Sequence, residues 1–548
     1  MTSERKKCPP EMHTNVSRET IRQEGLVDQS TLKYIRVVTY DEFGENQDLV
    51  SEIELIAQQL GAPVPRKYTK GDEDWDFMAV LGDSELPCLP VERKDHFCRV
   101  LLLDDGVLIT TKHDTKSGTP APLQKRGLCT IASSLFWQEV LRRNGAILPI
   151  EVPKRYVDLS LRFNPRALPS PFDSEDVVLV DKEGSELSGV EMIRREDGSG
   201  HWVARVRLDE GNPLTDSIFG SLRLETRSPN YSFDPSEVEL RLPRLEGEVR
   251  GTALVAGAGG LGSWAIHALC GGVADSGSDG EGLRLLIVDP DMSVERHNLN
   301  RQVLYSEEDI GLPKATTAAG KIGGALPGAT VVPLVDKLGL VHLQVMGEPD
   351  GCPAQSEPLQ VEEIDLPGGF ATNLAVNEPA DDILEEVFSE MAVALACVDN
   401  LRARSLLGAI AAKAGVPMIN AGAQGFNGQL DVFLPGESCM ICRYGKNAVR
   451  SEVRMSCQED GEVPFSTIVT STAIFGALQG LAMMAAISDS GDISSWPSQV
   501  SWSGRPNTFT IVEDPSFGPF SFAFSSQGEH HQHLESNLLE VEGEEDDR

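Results

Sequence analysis

The chain has 548 residues, 40% of them hydrophobic, with 51 glycines and a formal charge of −36. That length suits two or three domains, and that acidity argues against nucleic acid or an anionic membrane as the main partner. Part of the charge is local: Glu529 to Arg548 holds eight acids and one Arg, a composition that predicts a solvated, disordered tail.

Residues 1–30 are polar and without period, and read as a flexible arm. Residues 31–245 form an N-terminal α+β region of unknown role. "HFCRVLLLDDGVLITT" reads as strands, "TIASSLFWQEVLRRNG" as a helix ended by Gly145, and residues 175–245 as short strands between Gly, Asn and Asp turns. No motif there carries chemistry. A fused ubiquitin-conjugating domain would need a His-Pro-Asn element, which does not occur, so Cys88, Cys98 and Cys129 read as structural. The other reading of this region is a degenerate copy of the C-terminal half, with no glycine turn of its own.

From residue 251 the pattern becomes strand, glycine turn, helix and strand, repeated. "TALVAG", "LRLLIVD", "ATVVPLV", "EMAVALACVDN" and "VPMINAG" are apolar strands alternating with helical runs. The alternation predicts an α/β fold with a doubly wound, mostly parallel, Rossmann-like sheet. It places Asp399 at a strand's carboxyl end, where ligands sit in such sheets. Two insertions, 273–282 and 346–360, interrupt it. Val463 to Ser488 carries no charge over 26 residues but holds several Ser and Thr, and lacks basic flanks; it reads as a buried helix with its preceding loop, not a membrane span. Ten cysteines and an N-terminus without the apolar core of a secretion signal point to the cytoplasm or another reducing space.

Gly257-Ala258-Gly259-Gly260-Leu261-Gly262 sits between a strand and a helix, the pattern that cradles phosphate. Asp289 ends the next strand, where an acid grips ribose. Either a redox dinucleotide or ATP fits so far. The string from Val288 to Lys314, "VDPDMSVERHNLNRQVLYSEEDIGLPK", favours a triphosphate: Arg301 and Lys314 can neutralise phosphate charge, and Asn298 and Gln302 can orient it.

"GAGGLG", "DPD…HNLNRQVL", "DIGLPKA", "CVDNLRAR" and "NAGAQGFNGQLDVF", in that order, resemble the ThiF-type adenylyltransferase superfamily over residues 250–487. The resemblance implies that Gly257, Gly259 and Gly262 form the phosphate turn, Asp289 binds ribose, Asn298, Arg301 and Lys314 hold the triphosphate, and Asp399 coordinates Mg2+. It implies ATP-dependent adenylation of a ubiquitin-like or sulfur-carrier protein ending in Gly-Gly, with a conjugating enzyme or sulfur donor downstream and a homodimeric assembly. Cys439 and Cys442 look like half of a four-cysteine zinc site, read as a vestige. Cys457 resembles the acyl-accepting cysteine, with Arg454 nearby to favour thiolate. An arginine upstream of the first strand is also implied, with Arg241, Arg244 and Arg250 as candidates. Rival readings are adenylation of another carboxylate, as in a dehydratase-like branch, and a non-catalytic nucleotide-binding scaffold. Residues 488–528 read as a C-terminal extension.

Overall fold

The computed structural model describes residues 26–72, 74–87, 96–112, 115–148, 237–337, 387–399, 401–436, 439–440, 467–505 and 507–512, with the backbone of five short strands between 156 and 226. The acidic tail and most of the N-terminal arm lie outside these residues. The end of the arm does not hang loose. Val27 bridges Ile147, and the Asp28 carboxylate accepts the Ser30 N–H to cap α1 (Gln29–Leu32).

The N-terminal half runs β1 (Val37–Tyr40), α2 (Gln47–Leu60), β2 (Arg66–Lys67), β3 (Phe77–Leu81), β4 (Phe97–Leu102), β5 (Gly106–Thr110) and α3 (Pro122–Arg143). An excursion of five strands follows: β6 (Tyr156–Leu161), β7 (Val177–Val180), β8 (Val190–Arg194), β9 (Trp202–Arg207) and β10 (Arg223–Thr226). They pair as β6-β9-β8 and β10-β7. β11 (Glu237–Arg241) then returns to a six-stranded sheet ordered β2-β1-β3-β4-β5-β11. Its first four strands are parallel, and β5 and β11 run antiparallel. β3, β4 and β5 are buried at every position, which is why they read as continuous apolar runs and not as alternating ones.

The C-terminal half runs β12 (Gly251–Ala256), α4 (Gly260–Asp275), β13 (Leu283–Val288), α5 (Lys314–Ala325), β14 (Thr330–Leu334), β15 (Met391–Ala396), α6 (Leu401–Ala414), β16 (Met418–Gln424), β17 (Asn427–Phe433), α7 (Val469–Ile487), β18 (Gln499–Ser503) and β19 (Thr508–Val512). These strands form one sheet ordered β14-β13-β12-β15-β16-β17-β18-β19, parallel from β14 to β16 and antiparallel beyond. The expected doubly wound sheet is present. The segment read as an extension supplies its last two strands. One face packs on α4, α5 and α7, and the other on α6.

The two sheets share an order. β2-β1-β3-β4-β5-β11 and β13-β12-β15-β16-β17-β18 match strand for strand, and all five neighbouring pairs agree in sense. In each half a helix follows the first strand, and a long buried helix follows the antiparallel hairpin. The reading of the N-terminal half as a degenerate copy therefore has the topology it requires, although its sequence lacks the glycines that would reveal it.

α3 and α7 form the seam. Every residue of α7 except Ala486 is buried, so this charge-free helix, long and apolar enough to cross a membrane, is the central core helix expected. Glycines let the helices touch: a Cβ on Gly127 would lie 2.8 Å from the Leu481 side chain, and one on Gly476 would lie 2.4 Å from Trp264 Cβ and 2.6 Å from the Leu261 carbonyl. In an open helix Gly→Ala stabilises by about 1 kcal/mol. At Gly476 the sign should reverse: Gly476→Ala is expected to destabilise by about 1–3 kcal/mol through overpacking, read as a lowered urea midpoint. An unchanged or raised midpoint would contradict this packing.

Polar contacts also cross the seam. Gln138 donates to the Gly504 carbonyl (2.7 Å) and accepts from Thr470 (3.1 Å), and Asn507 donates to Glu139 (2.9 Å). Glu52 of α2, only 1% exposed, accepts from Arg126 (3.1 Å) and Thr130 (3.0 Å) of α3 and pairs with the His267 ring of α4 (2.8 Å). Burial opposes its charge, but His267 and Arg126 prevail and hold the carboxyl below its ordinary range.

Candidate nucleotide site

The site is built where β12 hands over to α4. Gly257 adopts φ +94°, and its Cβ would strike the Cys397 carbonyl at 2.6 Å. At Gly262 a Cβ would lie 1.9 Å from the Gly257 carbonyl, so the turn closes only with hydrogen at both positions. At Gly259 the nearest atom to an added Cβ is Gln302 Nε2, at 3.8 Å, leaving the backbone approachable from that side.

Asp289, 5% exposed, follows β13 and pins this turn. One oxygen accepts from the Ala258 N–H (2.6 Å) and the other from the Asp291 N–H (2.9 Å). Burial raises its carboxyl above the usual range, and Lys314 works against that rise. Lys314 opens α5, is 6% exposed and is paired with Asp291. Tyr305, unremarked in the sequence, ties the pieces together: its hydroxyl donates to the Ala258 carbonyl (2.8 Å) and lies 3.3 Å from the Lys314 carbonyl. Burial pushes the Tyr305 phenol up, so it stays a donor.

The Asn298 side chain accepts the Glu295 N–H (2.9 Å) and shapes a short 3-10 turn. Arg301 donates to the His297 carbonyl and to Asn300 (3.0 Å each), while Trp264 of α4 donates to the Arg301 carbonyl (3.0 Å). The structure thus brings Gly257, Gly259, Gly262, Asp289, Arg301, Gln302 and Lys314 around one turn. Asp399, exposed, lies just beyond β15, two residues after the Cys397 that abuts Gly257.

Two buried atoms in this cluster, Gln302 Oε1 and Asn300 Nδ2, have no hydrogen-bond partner within the protein. Buried polar atoms are rarely left so, and with the open flank at Gly259 they fit a polar ligand. Sequence reasoning missed Asn300 and Tyr305; "HNLNRQVLY" contained both.

Among the described residues no cluster of His, Cys, Asp and Glu could hold a metal. Cys439 is buried, whereas Cys442, Arg454 and Cys457, on which the vestigial-zinc and acyl-acceptor readings rest, lie outside the described residues. Cys98 and Cys129 are buried thiols, Cys98 pushed up to about 12, as inert structural cysteines should be. The three upstream arginines are half-exposed and engaged in ion pairs, Arg241 with Glu239 and Asp105, Arg244 with Glu246 and Arg250 with Glu248.

A glycine turn at the carboxyl end of an interior strand of a doubly wound sheet, pinned by a buried acid and with Arg301 and Lys314 close by, defines a nucleotide-binding α/β domain. Residues 248–516 match the ThiF family model, and the chain carries a ThiF family domain there. It is distantly similar to E1-like and sulfur-carrier adenylyltransferases. It is 28% identical over 231 residues to the SAMP-activating enzyme E1 of Haloferax volcanii, covering 41% of this chain and 61% of that protein. Similarity to the sulfur carrier protein ThiS adenylyltransferase of Escherichia coli is 24% over 236 residues, 43% of this chain and 72% of that one. Among solved structures, Escherichia coli MccB with ATP aligns at 16% identity and a TM-score of 0.32, over 48% of this chain and 62% of that chain.

Proposed function

We propose that the chain adenylates the C-terminal carboxylate of a ubiquitin-like or sulfur-carrier protein ending in Gly-Gly, with Mg-ATP as co-substrate. The observation that carries the reading is the conjunction of the pinned glycine turn with buried Lys314 and with Arg301. Arg301 lies beside Gly260 at the α4 N-terminus and buried Lys314 acts on Asp289, so two cations stand near a helix N-terminus, an arrangement that suits a triphosphate and that a redox dinucleotide does not require. ThiF family membership of this domain supports an ATP-using adenylyltransferase.

In this reading the α4 N-terminus and Lys314 hold phosphate oxygens, and the Gln302 Nε2 and Asn300 Nδ2 amides donate to them. Asp289 fixes the turn and offers a remaining lone pair to ribose. Asp399 would hold Mg2+, which supplies charge neutralisation at the phosphates. The carrier carboxylate attacks the α-phosphorus: a carboxylate-oxygen bond to phosphorus forms, the α–β anhydride bond breaks, and pyrophosphate leaves. Little covalent help is asked of the protein, only positioning and neutralisation. Cys457 is the proposed acceptor for a following thioester, and the proposed compartment is cytoplasmic.

Calorimetry with Mg-ATP and with NAD tests the reading: ATP binding alone is expected, and preferential NAD binding would sink it. Asp399→Asn removes a charge from the proposed metal ligand and should slow carrier-dependent ATP–pyrophosphate exchange about 100-fold, roughly 2.7 kcal/mol. Unchanged exchange would place the metal elsewhere.

A further inference from the structure

The peptide groups of the glycine turn are fixed almost one by one. The Gly257 N–H donates to the Val288 carbonyl (2.7 Å), the Ala258 N–H donates to Asp289 (2.6 Å), and the Gly259 carbonyl accepts the Ser263 N–H (3.0 Å). The Ala258 carbonyl is held from another segment, by the Tyr305 hydroxyl at 2.8 Å. Of the three N–H groups from Gly257 to Gly259, only that of Gly259 meets no acceptor among the described residues.

The contact with Tyr305 has a directional consequence. The Ala258 carbonyl and the Gly259 N–H belong to one peptide unit, and in a planar trans peptide they point in opposite directions. Holding the oxygen therefore aims the N–H. Gly259 also caps α4, and a Cβ there would meet nothing closer than Gln302 Nε2, at 3.8 Å. A backbone donor and a side-chain amide thus stand together at a helix N-terminus, a combination that suits an anionic oxygen.

Tyr305 is built for this task and for no exposed one. It is 5% exposed, and its hydroxyl lies 3.3 Å from the carbonyl of Lys314, the first residue of α5. One oxygen therefore spans the gap between the glycine turn and the helix that carries the buried cation. Burial, with Asp289, Asp291 and Asp309 nearby, raises the phenol, so it remains a donor. An aromatic ring without the hydroxyl would fill the same space and leave the peptide free to turn.

We infer that Tyr305 is a positioning residue of the nucleotide site: its hydroxyl holds the Ala258 carbonyl and so aims the Gly259 N–H at a phosphate oxygen. The phosphate as target rests on the ATP reading above; the fixed direction of the peptide does not.

Tyr305→Phe removes one oxygen and keeps the ring, and two readouts separate the parts of the inference. In the free protein, amide hydrogen exchange over residues 257–263 should run about tenfold faster in the variant, with β12 and the far end of α4 as in wild type. With Mg2+ and a non-hydrolysable ATP analogue, calorimetry should show binding weakened about tenfold, while adenosine, which carries no phosphate, binds within about twofold of wild type. A lowered melting temperature with both affinities unchanged would make the hydroxyl structural only and overturn the inference. Equal weakening of the analogue and adenosine would overturn it too, because the hydroxyl would then shape the whole pocket. Unchanged exchange at the turn would overturn it without reference to any ligand. Faster exchange in a protein whose wild type binds no analogue would refute the ATP reading while upholding Tyr305 as the clasp of the turn.

Discussion

Lys314→Ala should lower carrier-dependent ATP–pyrophosphate exchange by about 10³-fold, near 4 kcal/mol of transition-state stabilisation. The size follows from the position of the amine. Lys314 is buried, paired with Asp291 and close enough to Asp289 to oppose the rise of its carboxyl. Its removal takes a fixed cation from the phosphates and leaves two neighbouring acids to repel them. A circular-dichroism spectrum matching wild type would assign the loss to the site and not to unfolding. Exchange within threefold of wild type would mean that Lys314 serves only the ion pair with Asp291.

The largest effect on stability is expected at Glu52, far from the glycine turn. Glu52→Ala strands Arg126, Thr130 and His267 in the seam without their common acceptor. Breaking a buried charged cluster on one side costs about 3–5 kcal/mol, enough to lower the thermal midpoint by several degrees. The pH dependence has a definite sign. Glu52's carboxyl is held below its ordinary value of about 4.3, so its contribution is full above that pH and fades as pH falls through the lowered folded value. Glu52→Gln should therefore flatten the acid limb of the stability curve. An unaltered acid limb would show that other carboxylates govern it.

Much of the candidate site was legible because its requirements are local. A turn that tolerates only hydrogen at Gly257 and Gly262 writes itself as glycine, and Asp289 and Lys314 lie on the same short stretch of chain. Tyr305 and Asn300 were not legible, since their work is to satisfy particular carbonyls and cavities that exist only after folding. The N-terminal copy was legible only as one of two readings, for another reason. Its strands β3 to β5 are buried on both faces and carry no alternation, and α3 is covered on nearly all sides, so it lacks an apolar stripe. What marks the duplication is strand order, a property of long-range pairing that no local pattern records.

The packing of α3 against α7 also sets a schedule for biosynthesis. α3 is apolar enough to be buried almost all round, yet the helix that covers it begins more than three hundred residues later. At a translation rate of 5–20 residues per second, α3 waits roughly 20–60 s before α7 leaves the ribosome. α2, β4 and β5 cover part of it early, but the α7 contact, one of its largest, forms only when the second sheet is nearly complete. A message truncated before residue 469 yields a chain whose α3 keeps α2 and α4 but lacks the helix that closes its remaining face.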